Sequence, residues 1–282
     1  MFDNLGVTST ENDGAHGLYR QAGPVSALDR ALGLARSLLV YHGIPGRQRR
    51  MRRLYSRFVT AGDLAFDVGA HAGNRTRALA ALGCRVVALE PQPDFARLLR
   101  GVFARSAHVT VVEQAAGRTP GHASLAVSER TPTVTTLSPS WREARSADAD
   151  FTGVHWNRSV EVAVTTLDAL VERFGTPSFV KIDVEGAEAD VLAGLSHPVG
   201  TVSFEYLPRA LDLVAECTRC LAQLGDYRFT WSAGESFRLA ADAWVTGPEL
   251  IAALRTGAAQ QRSGDIYATL GHRAEATCGS TP

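Results

Sequence analysis

Residues 64–90 constrain the fold of this chain more than any other stretch. A short apolar run ends in Asp67 and in a turn that contains Gly69 and Gly73, a helix-compatible segment follows, and a second apolar run closes on Glu90. Short apolar runs separated by a glycine turn and a helical period predict the order strand, turn, helix, strand. Such a unit is the nucleoside-binding half of a doubly wound sheet.

The residues of the turn favour one kind of nucleoside ligand. A dinucleotide site is expected to read G-x-G-x-x-G, because the pyrophosphate lies against the backbone and a helix N-terminus. His71 and Asn74 occupy the positions of the second and third glycines. Asp67 would add negative charge beside a pyrophosphate, whereas it suits a ligand with an ammonium and a sulfonium, such as S-adenosylmethionine. Glu90, at the end of the second strand, can accept hydrogen bonds from two ribose hydroxyls.

Acidic residues recur where the predicted strands end, at Asp67, Glu90, Asp183 with Glu185, and Glu205. In an open α/β sheet these ends face one crevice, which is the usual ligand site. Carboxylates that converge there repel one another unless a cation or hydroxyl donors offset their charge. A sulfonium, an amino group and a ribose would do so. The small residues after the third strand, around Ala115, leave room for a flat ring such as adenine.

Composition excludes several classes of partner. The 282 residues carry a formal net charge of zero, so no global field recruits nucleic acid or a membrane. No apolar leader and no run of about 18 apolar residues is evident, and we expect a cytoplasmic protein. Cys217 and Cys220 are predicted to be wall residues of a helix, and we predict no metal site. The only lysine, Lys181, is predicted to be solvated at the flank of a strand.

The chain is predicted to form one core domain with additions. Residues 1–24 are polar and are expected to be flexible, and residues 25–60 are predicted to form an N-terminal cap of two amphipathic helices. The core domain spans residues 61–271, and residues 272–282 form a flexible tail. Within the domain, residues 128–158 lack a periodic pattern but contain two tryptophans, which predicts an ordered lid over the substrate.

The rest of the domain alternates predicted strands and helices. Thr166 is predicted to cap a helix, and residues 123–127 are predicted to pair as an antiparallel excursion. Residues 227–231, 237–240 and 266–270 are predicted to supply the closing strands.

Four separate blocks between about Gly62 and Tyr206 carry a family resemblance. They are Asp67-Val-Gly-Ala-His-Ala-Gly73, Ala88-Leu-Glu-Pro91, Thr165-Thr-Leu-Asp168 and Lys181-Ile-Asp-Val-Glu-Gly-Ala-Glu188. Together they resemble the signature of the FkbM-type S-adenosylmethionine-dependent methyltransferases. The resemblance implies the class I methyltransferase fold, a Rossmann-like α/β fold. Its seven-stranded, mostly parallel sheet has an antiparallel last strand and helices on both faces. The usual activity is O-methylation of sugar or secondary-metabolite hydroxyls.

The resemblance also implies site residues. The methionine half of the cofactor would be held by the glycine turn, the ribose by Glu90 and the adenine by residues after the third strand. The cofactor-binding residues are then Asp67, Gly69, Ala70, His71, Gly73, Asn74, Glu90, Pro91, Gln114, Ala115 and Asp183. Asp183 and Glu185 would lie where cofactor and acceptor meet.

Methyl transfer to an aliphatic hydroxyl is an in-line displacement that needs a general base. Candidates for the base are His71, His155, Asp183, Glu185 and Glu205. We favour Glu185, whose motif puts it at a strand end facing the crevice, with His155 and Asp183 as the alternatives.

Two other functions remain open at this stage. One is an NAD-type oxidoreductase, which His71 and Asn74 disfavour. The other is a non-catalytic nucleoside-binding protein. The partner predicted for the enzyme is a small hydroxylated acceptor, neither nucleic acid nor a membrane. The identity of the acceptor and the oligomeric state, a homo-oligomer included, are left open.

Overall fold

A computed structural model describes residues 46–271, apart from 129–130, 132–133, 149–152 and 241–243. The predicted flexible N-terminus, the first helix of the predicted cap and the predicted C-terminal tail lie outside the described residues.

The described residues form ten strands. They are β1 (Leu64–Val68), β2 (Arg85–Leu89), β3 (Val109–Val112), β4 (Ala115–Ala116), β5 (Gly121–Val127), β6 (Arg158–Thr165), β7 (Phe179–Ile182), β8 (Thr201–Tyr206), β9 (Tyr227–Ala233) and β10 (Gly264–Leu270). Seven of them form one sheet in the order β3-β2-β1-β7-β8-β10-β9, in which β10 is antiparallel to both neighbours. This confirms the fold class that the resemblance implies.

Helices cover both faces of this sheet. They are α1 (Arg47–Tyr55), α2 (Asn74–Ala80), α3 (Pro93–Val102), α4 (Pro139–Ser146), α5 (Leu167–Phe174), α6 (Glu188–Leu192), α7 (Leu211–Leu224) and α8 (Gly247–Leu254). Thr166 caps α5 as predicted, with its hydroxyl accepting the N–H of Ala169 at 3.1 Å.

The central strands are buried on both faces, so alternate residues enter two different cores. One core packs against α5, α7 and α8 and contains alternate residues of β1 and β7, namely Leu64, Phe66, Val68, Val180 and Ile182. The opposite face packs against α1 and α2. Tyr55 of α1 contacts Phe179 of β7 there, with ring centroids 5.3 Å apart. The helix α1 thus covers the sheet where the sequence predicts a cap.

Lys181 lies on the face covered by α1, and the prediction that it is solvated is wrong. It is a central residue of β7, its side chain is 0 % exposed, and it pairs in register with Asp67 of β1 and Ser203 of β8. A buried lysine requires a counter-charge, and the side chain forms an ion pair with Asp265 of β10.

The predicted lid contains more regular structure than its sequence pattern indicates. Strands β5 and β6 flank the lid. They pair antiparallel, as predicted for residues 123–127, and β4 completes a small three-stranded sheet. The helix α4 lies within the lid, between β5 and β6. Ser138 caps its N-terminus, and the Ser138 hydroxyl accepts the N–H of Trp141 at 3.2 Å. Trp141 is buried and meets the ring of Trp156 edge to face.

Residues 237–240 do not form the predicted closing strand. A turn at residues 234–235 follows β9, Phe237 has a left-handed backbone (φ 51°), and its side chain is buried in the core beneath α1. Cys217 and Cys220 lie on α7 as free thiols, as predicted, with Cys217 in the apolar core. No helix within the described residues is long and apolar enough to span a membrane.

Candidate active site

A pocket opens at the carboxyl ends of β1, β2 and β7, where doubly wound sheets bind their ligands. It encloses about 860 Å³ of empty space, part of it open to solvent. The predicted cofactor residues that line it are Gly69, Ala70, His71, Asn74, Glu90, Pro91, Gln114, Ala115 and Asp183. Asp67 and Gly73, also predicted, are not among the lining residues.

The turn after β1 bonds to the end of β2 and lies close to the end of β7. The N–H groups of Gly69 and Ala70 donate to the carbonyl of Leu89 at 3.0 and 2.8 Å. Gly69 has φ 82°, and a Cβ at this position would lie 1.9 Å from the carbonyl oxygen of Asp183. No other residue fits so close an approach. The glycine thus allows the turn to contact the strand end that carries the acids, a packing requirement in addition to the ligand contact predicted for this pocket residue.

Glu90 lines the pocket with its carboxyl group fixed by the backbone. One oxygen accepts the N–H of His71 at 2.8 Å and the other accepts the N–H of Gln92 at 2.8 Å. Burial raises the pKa of Glu90 to about 7, against the lowering effect of these two hydrogen bonds. Each oxygen keeps a second lone pair, so the carboxylate can also accept two hydroxyl donors from a ligand.

His71 lies beside Glu90 in a left-handed conformation (φ 47°). Its ring packs against Phe95, with ring centroids 4.0 Å apart. Burial lowers the pKa of the imidazole to about 4, so the ring is neutral at physiological pH. His71 therefore offers the pocket an uncharged flat surface and a poor base.

Asp67 is placed differently from the prediction. Its side chain is 0 % exposed and accepts a hydrogen bond from the hydroxyl of Thr76 in α2. Burial raises the pKa of this carboxyl group. The residue thus ties β1 to α2 directly beneath the glycine turn and does not line the pocket.

Three acids meet at the end of the pocket. Carboxyl oxygens of Asp183, Glu185 and Glu205 all lie within 4.8 Å of one another. Burial and the neighbouring carboxyl groups raise the pKa of Glu185 well above its usual range and that of Glu205 to about 8. Acids this close can share protons, face a cationic ligand or hold a metal ion.

The turn that carries Glu185 is held from two sides. The hydroxyl of Thr136 donates to the carbonyl of Glu185 at 2.6 Å. The carboxyl group of Glu188 accepts the N–H groups of Val184 and Gly186, at 3.2 and 3.0 Å. These bonds fix Glu185 at φ 54°, a conformation that few residues other than glycine adopt.

Asp183 contacts two cations that the sequence analysis did not assign to the site. Its Oδ2 lies 3.2 Å from the guanidinium of Arg75 and 3.8 Å from Nζ of Lys181. Arg75 follows the glycine turn and also lines the pocket. Asp265, the ion-pair partner of Lys181, lies on a strand about eighty residues further along the chain. No local sequence pattern links these two residues.

Part of the predicted lid also borders the pocket. Thr135 and Leu137 line it, and Trp141 packs on the backbone of Gly186, where a Cβ would lie 2.2 Å from the indole. His155, one of the predicted bases, is exposed and does not line the pocket.

The sequence matches one family model. The Methyltransferase FkbM domain matches residues 67–218, more than half of the chain. No curated protein has a matching sequence.

Several solved structures resemble the fold at low sequence identity. An O-methyltransferase from Bacillus cereus in complex with SAH is 13% identical, with a TM-score of 0.43 over 88% of this chain and 92% of that chain. A TehB-like SAM-dependent methyltransferase from Corynebacterium glutamicum is 10% identical, with a TM-score of 0.44 over 86% and 98%. A precorrin-6y C5,15-methyltransferase from Geobacter metallireducens is 12% identical, with a TM-score of 0.41 over 78% and 86%.

Proposed function

This chain belongs to the FkbM methyltransferase family and its cofactor is S-adenosylmethionine, and from this premise we propose that it methylates a hydroxyl group of a small molecule, such as a sugar or a secondary metabolite. The observation that carries the proposal is the carboxyl group of Glu185 in the pocket, beside Asp183 and Glu205. An alcohol must lose its proton as the methyl group is transferred, and Glu185 is a base in a position to take it.

The pocket residues fit the parts of the cofactor. Glu90 would accept the ribose hydroxyls, and Gln114 and Ala115 would border the adenine. The glycine turn and Asp183 would hold the methionine end, where the carboxylate of Asp183 suits an ammonium group. When bound, S-adenosylmethionine supplies a methyl group activated by the sulfonium. The protein's own contribution is to align the acceptor oxygen with that methyl group and to exclude water.

The contacts favour Glu185 as the base over its two alternatives, Asp183 and His155. Asp183 forms ion pairs with Arg75 and Lys181, so its Oδ2 already has two cationic partners. His155 is exposed and does not line the pocket. Burial and neighbouring acids raise the pKa of Glu185, which makes its carboxylate a stronger base than that of an ordinary glutamate.

A small acceptor also agrees better with the charge of the site than a nucleic acid does. The pocket end is lined by acids, which repel phosphates, and the chain has no net positive charge. The exposed arginines of α1, such as Arg49 and Arg52, do not line the pocket. The NAD-type alternative loses its support through the family match.

The test is methyl transfer to a panel of hydroxylated sugars and secondary metabolites, with product mass and NMR assigning the methylated atom. We expect an O-methyl product that is lost in Glu185→Gln, because the amide cannot accept the proton. Glu172→Gln, at an exposed position of α5, is the matched control and should retain activity. Methylation of carbon, nitrogen or RNA alone would refute the hydroxyl acceptor and leave the methyltransferase assignment intact. Cofactor binding without turnover on any acceptor class would favour the non-catalytic alternative.

A further inference from the structure

The face of the sheet beneath α1 carries a row of buried polar side chains. Register places Asp67 beside Lys181, Lys181 beside Ser203, and Ser203 beside Tyr267 across four neighbouring strands. Each of these side chains is 0 % exposed. The opposite face of the same strands is apolar. Burying polar groups in a row is costly unless they are paired, so this row calls for a functional explanation.

The charged members of this face form a network that ends at the pocket. Nζ of Lys181 lies 2.8 Å from Asp265 Oδ1 and 3.8 Å from Asp183 Oδ2, and donates to the carbonyl of Ile182 at 3.0 Å. Arg75 reaches the same two acids from α2, at 3.2 Å from Asp183 Oδ2 and 4.0 Å from Asp265 Oδ2. Two cations and two carboxylates therefore balance, and of these four residues Arg75 and Asp183 line the pocket.

We propose that Lys181 and Asp265, together with Arg75, are positioning residues that hold the carboxylate of Asp183 toward the methionine end of the cofactor. The inference rests on the proposed place of Asp183 in the cofactor site. Both cations contact Oδ2 of Asp183, which leaves Oδ1 to meet a ligand. Asp265 has a separate task, since it draws Lys181 to itself at 2.8 Å and so limits how closely the lysine approaches Asp183.

The electrostatics of the buried pair agree with this arrangement. Burial acts to lower the pKa of Lys181, but the carboxylates of Asp183 and Asp265 outweigh it and raise this pKa. Burial acts to raise the pKa of Asp265, and Lys181 and Arg75 outweigh it in turn. Both groups are therefore charged at neutral pH, and the charges of Lys181 and Asp265 do not vary over the physiological range.

A structural and a positioning role make different predictions for the double variant Lys181→Met with Asp265→Leu. Each single change leaves a buried charge without its nearest partner and should lower the melting temperature, whereas removing both together should restore much of it. The double variant should regain stability but not cofactor affinity, because Asp183 then keeps only one of its two cationic partners, Arg75. We expect the double variant to bind S-adenosylhomocysteine about tenfold more weakly than wild type, the loss of one charge-assisted hydrogen bond.

A thermodynamic cycle decides whether the network acts through Asp183. Asp183→Asn should itself weaken binding of S-adenosylhomocysteine about tenfold. In that background the double variant should add less than about twofold, since the carboxylate it positions is gone. Arg75→Gln, at a residue whose side chain is 20 % exposed, takes the place of the double variant in this cycle if the double variant does not fold. Ser203→Ala, in the same polar row but outside the network, is the control and should bind like wild type.

Two results would overturn the proposal in distinguishable ways. If Asp183→Asn binds S-adenosylhomocysteine like wild type, the proposed role of Asp183 fails, and the positioning network fails with it. If Asp183→Asn binds weakly while the stable double variant and Arg75→Gln bind like wild type, only the positioning role fails. Additive losses in the cycle would likewise show that the network does not act through Asp183.

Discussion

Replacing Glu90 should weaken cofactor binding strongly while leaving the protein folded. Its carboxylate accepts two backbone N–H groups, from His71 and Gln92, and is proposed to accept the ribose hydroxyls as well. In Glu90→Ala the charge-assisted bonds to the ribose disappear, at about 1.5–3 kcal/mol, or about tenfold to 150-fold in affinity. The two buried N–H groups also lose their acceptors, which should lower the free energy of unfolding by about 1–3 kcal/mol. Glu90→Gln keeps one acceptor oxygen and should lose affinity only about fivefold.

Isothermal titration with S-adenosylhomocysteine measures the affinity, and thermal unfolding measures the stability of each variant. Glu113→Ala is the matched control, because Glu113 follows β3, pairs with the exposed Arg100 and does not line the pocket. Its affinity should equal that of wild type. If a folded Glu90→Ala protein binds with wild-type affinity, Glu90 does not bind the ribose. The proposed orientation of the cofactor in the pocket is then refuted.

Three further outcomes follow from the acids and from the turn beside them. Gly186→Ala should destabilise the protein by at least about 1–2 kcal/mol and weaken activity, because φ is 95° and the new Cβ would meet Trp141. A variant with wild-type melting temperature and turnover would contradict this packing. Since Glu205 keeps its proton to about pH 8 in the fold but only to about 4.5 when unfolded, the folded state binds more protons between these values, and the free energy of unfolding should fall as the pH rises. Glu205→Gln should flatten this slope in pH-dependent melting, and an unchanged slope would exclude Glu205 as its source. Because the charge of Asp183 is already balanced, EDTA should leave cofactor affinity unchanged and Mg²⁺ should not raise the melting temperature; a rise would show that the three acids bind the ion.

The local periodicity of the chain was enough to predict the core of this fold. Strand, turn, helix and strand between residues 64 and 90 follow from short apolar runs and glycines, and these are properties of neighbouring residues. Acids at strand ends converge because parallel strands share a carboxyl edge, so Glu90, Asp183 and Glu185 meet one pocket. The same reasoning misplaced Asp67, because a strand end can face the neighbouring helix as well as the crevice.

What the sequence did not predict depends on contacts between distant residues. Lys181 was expected at a solvated flank because a lone lysine carries no signal of its partner, and Asp265 lies in another strand. Trp141 and Gly186 meet only because α4 folds back over the turn that carries Glu185. The composition of residues 237–240 predicts a strand, but a turn at residues 234–235 ends β9 and Phe237 takes a left-handed backbone. In each case tertiary packing overrides a local preference.

The two faces of the central sheet differ in what they contribute: one is apolar core, and the other carries the charged network that reaches the pocket. The face under α5, α7 and α8 is apolar and supplies most of the buried core, as a parallel sheet requires. The face under α1 carries Lys181 and its partners, and a charged network there is tolerated only because each member is paired. Since Arg75 and Asp183 belong both to this network and to the pocket lining, a ligand that engages Asp183 acts on the same charges that α1 keeps from water. Cofactor binding should therefore stabilise the α1 face as well as the pocket.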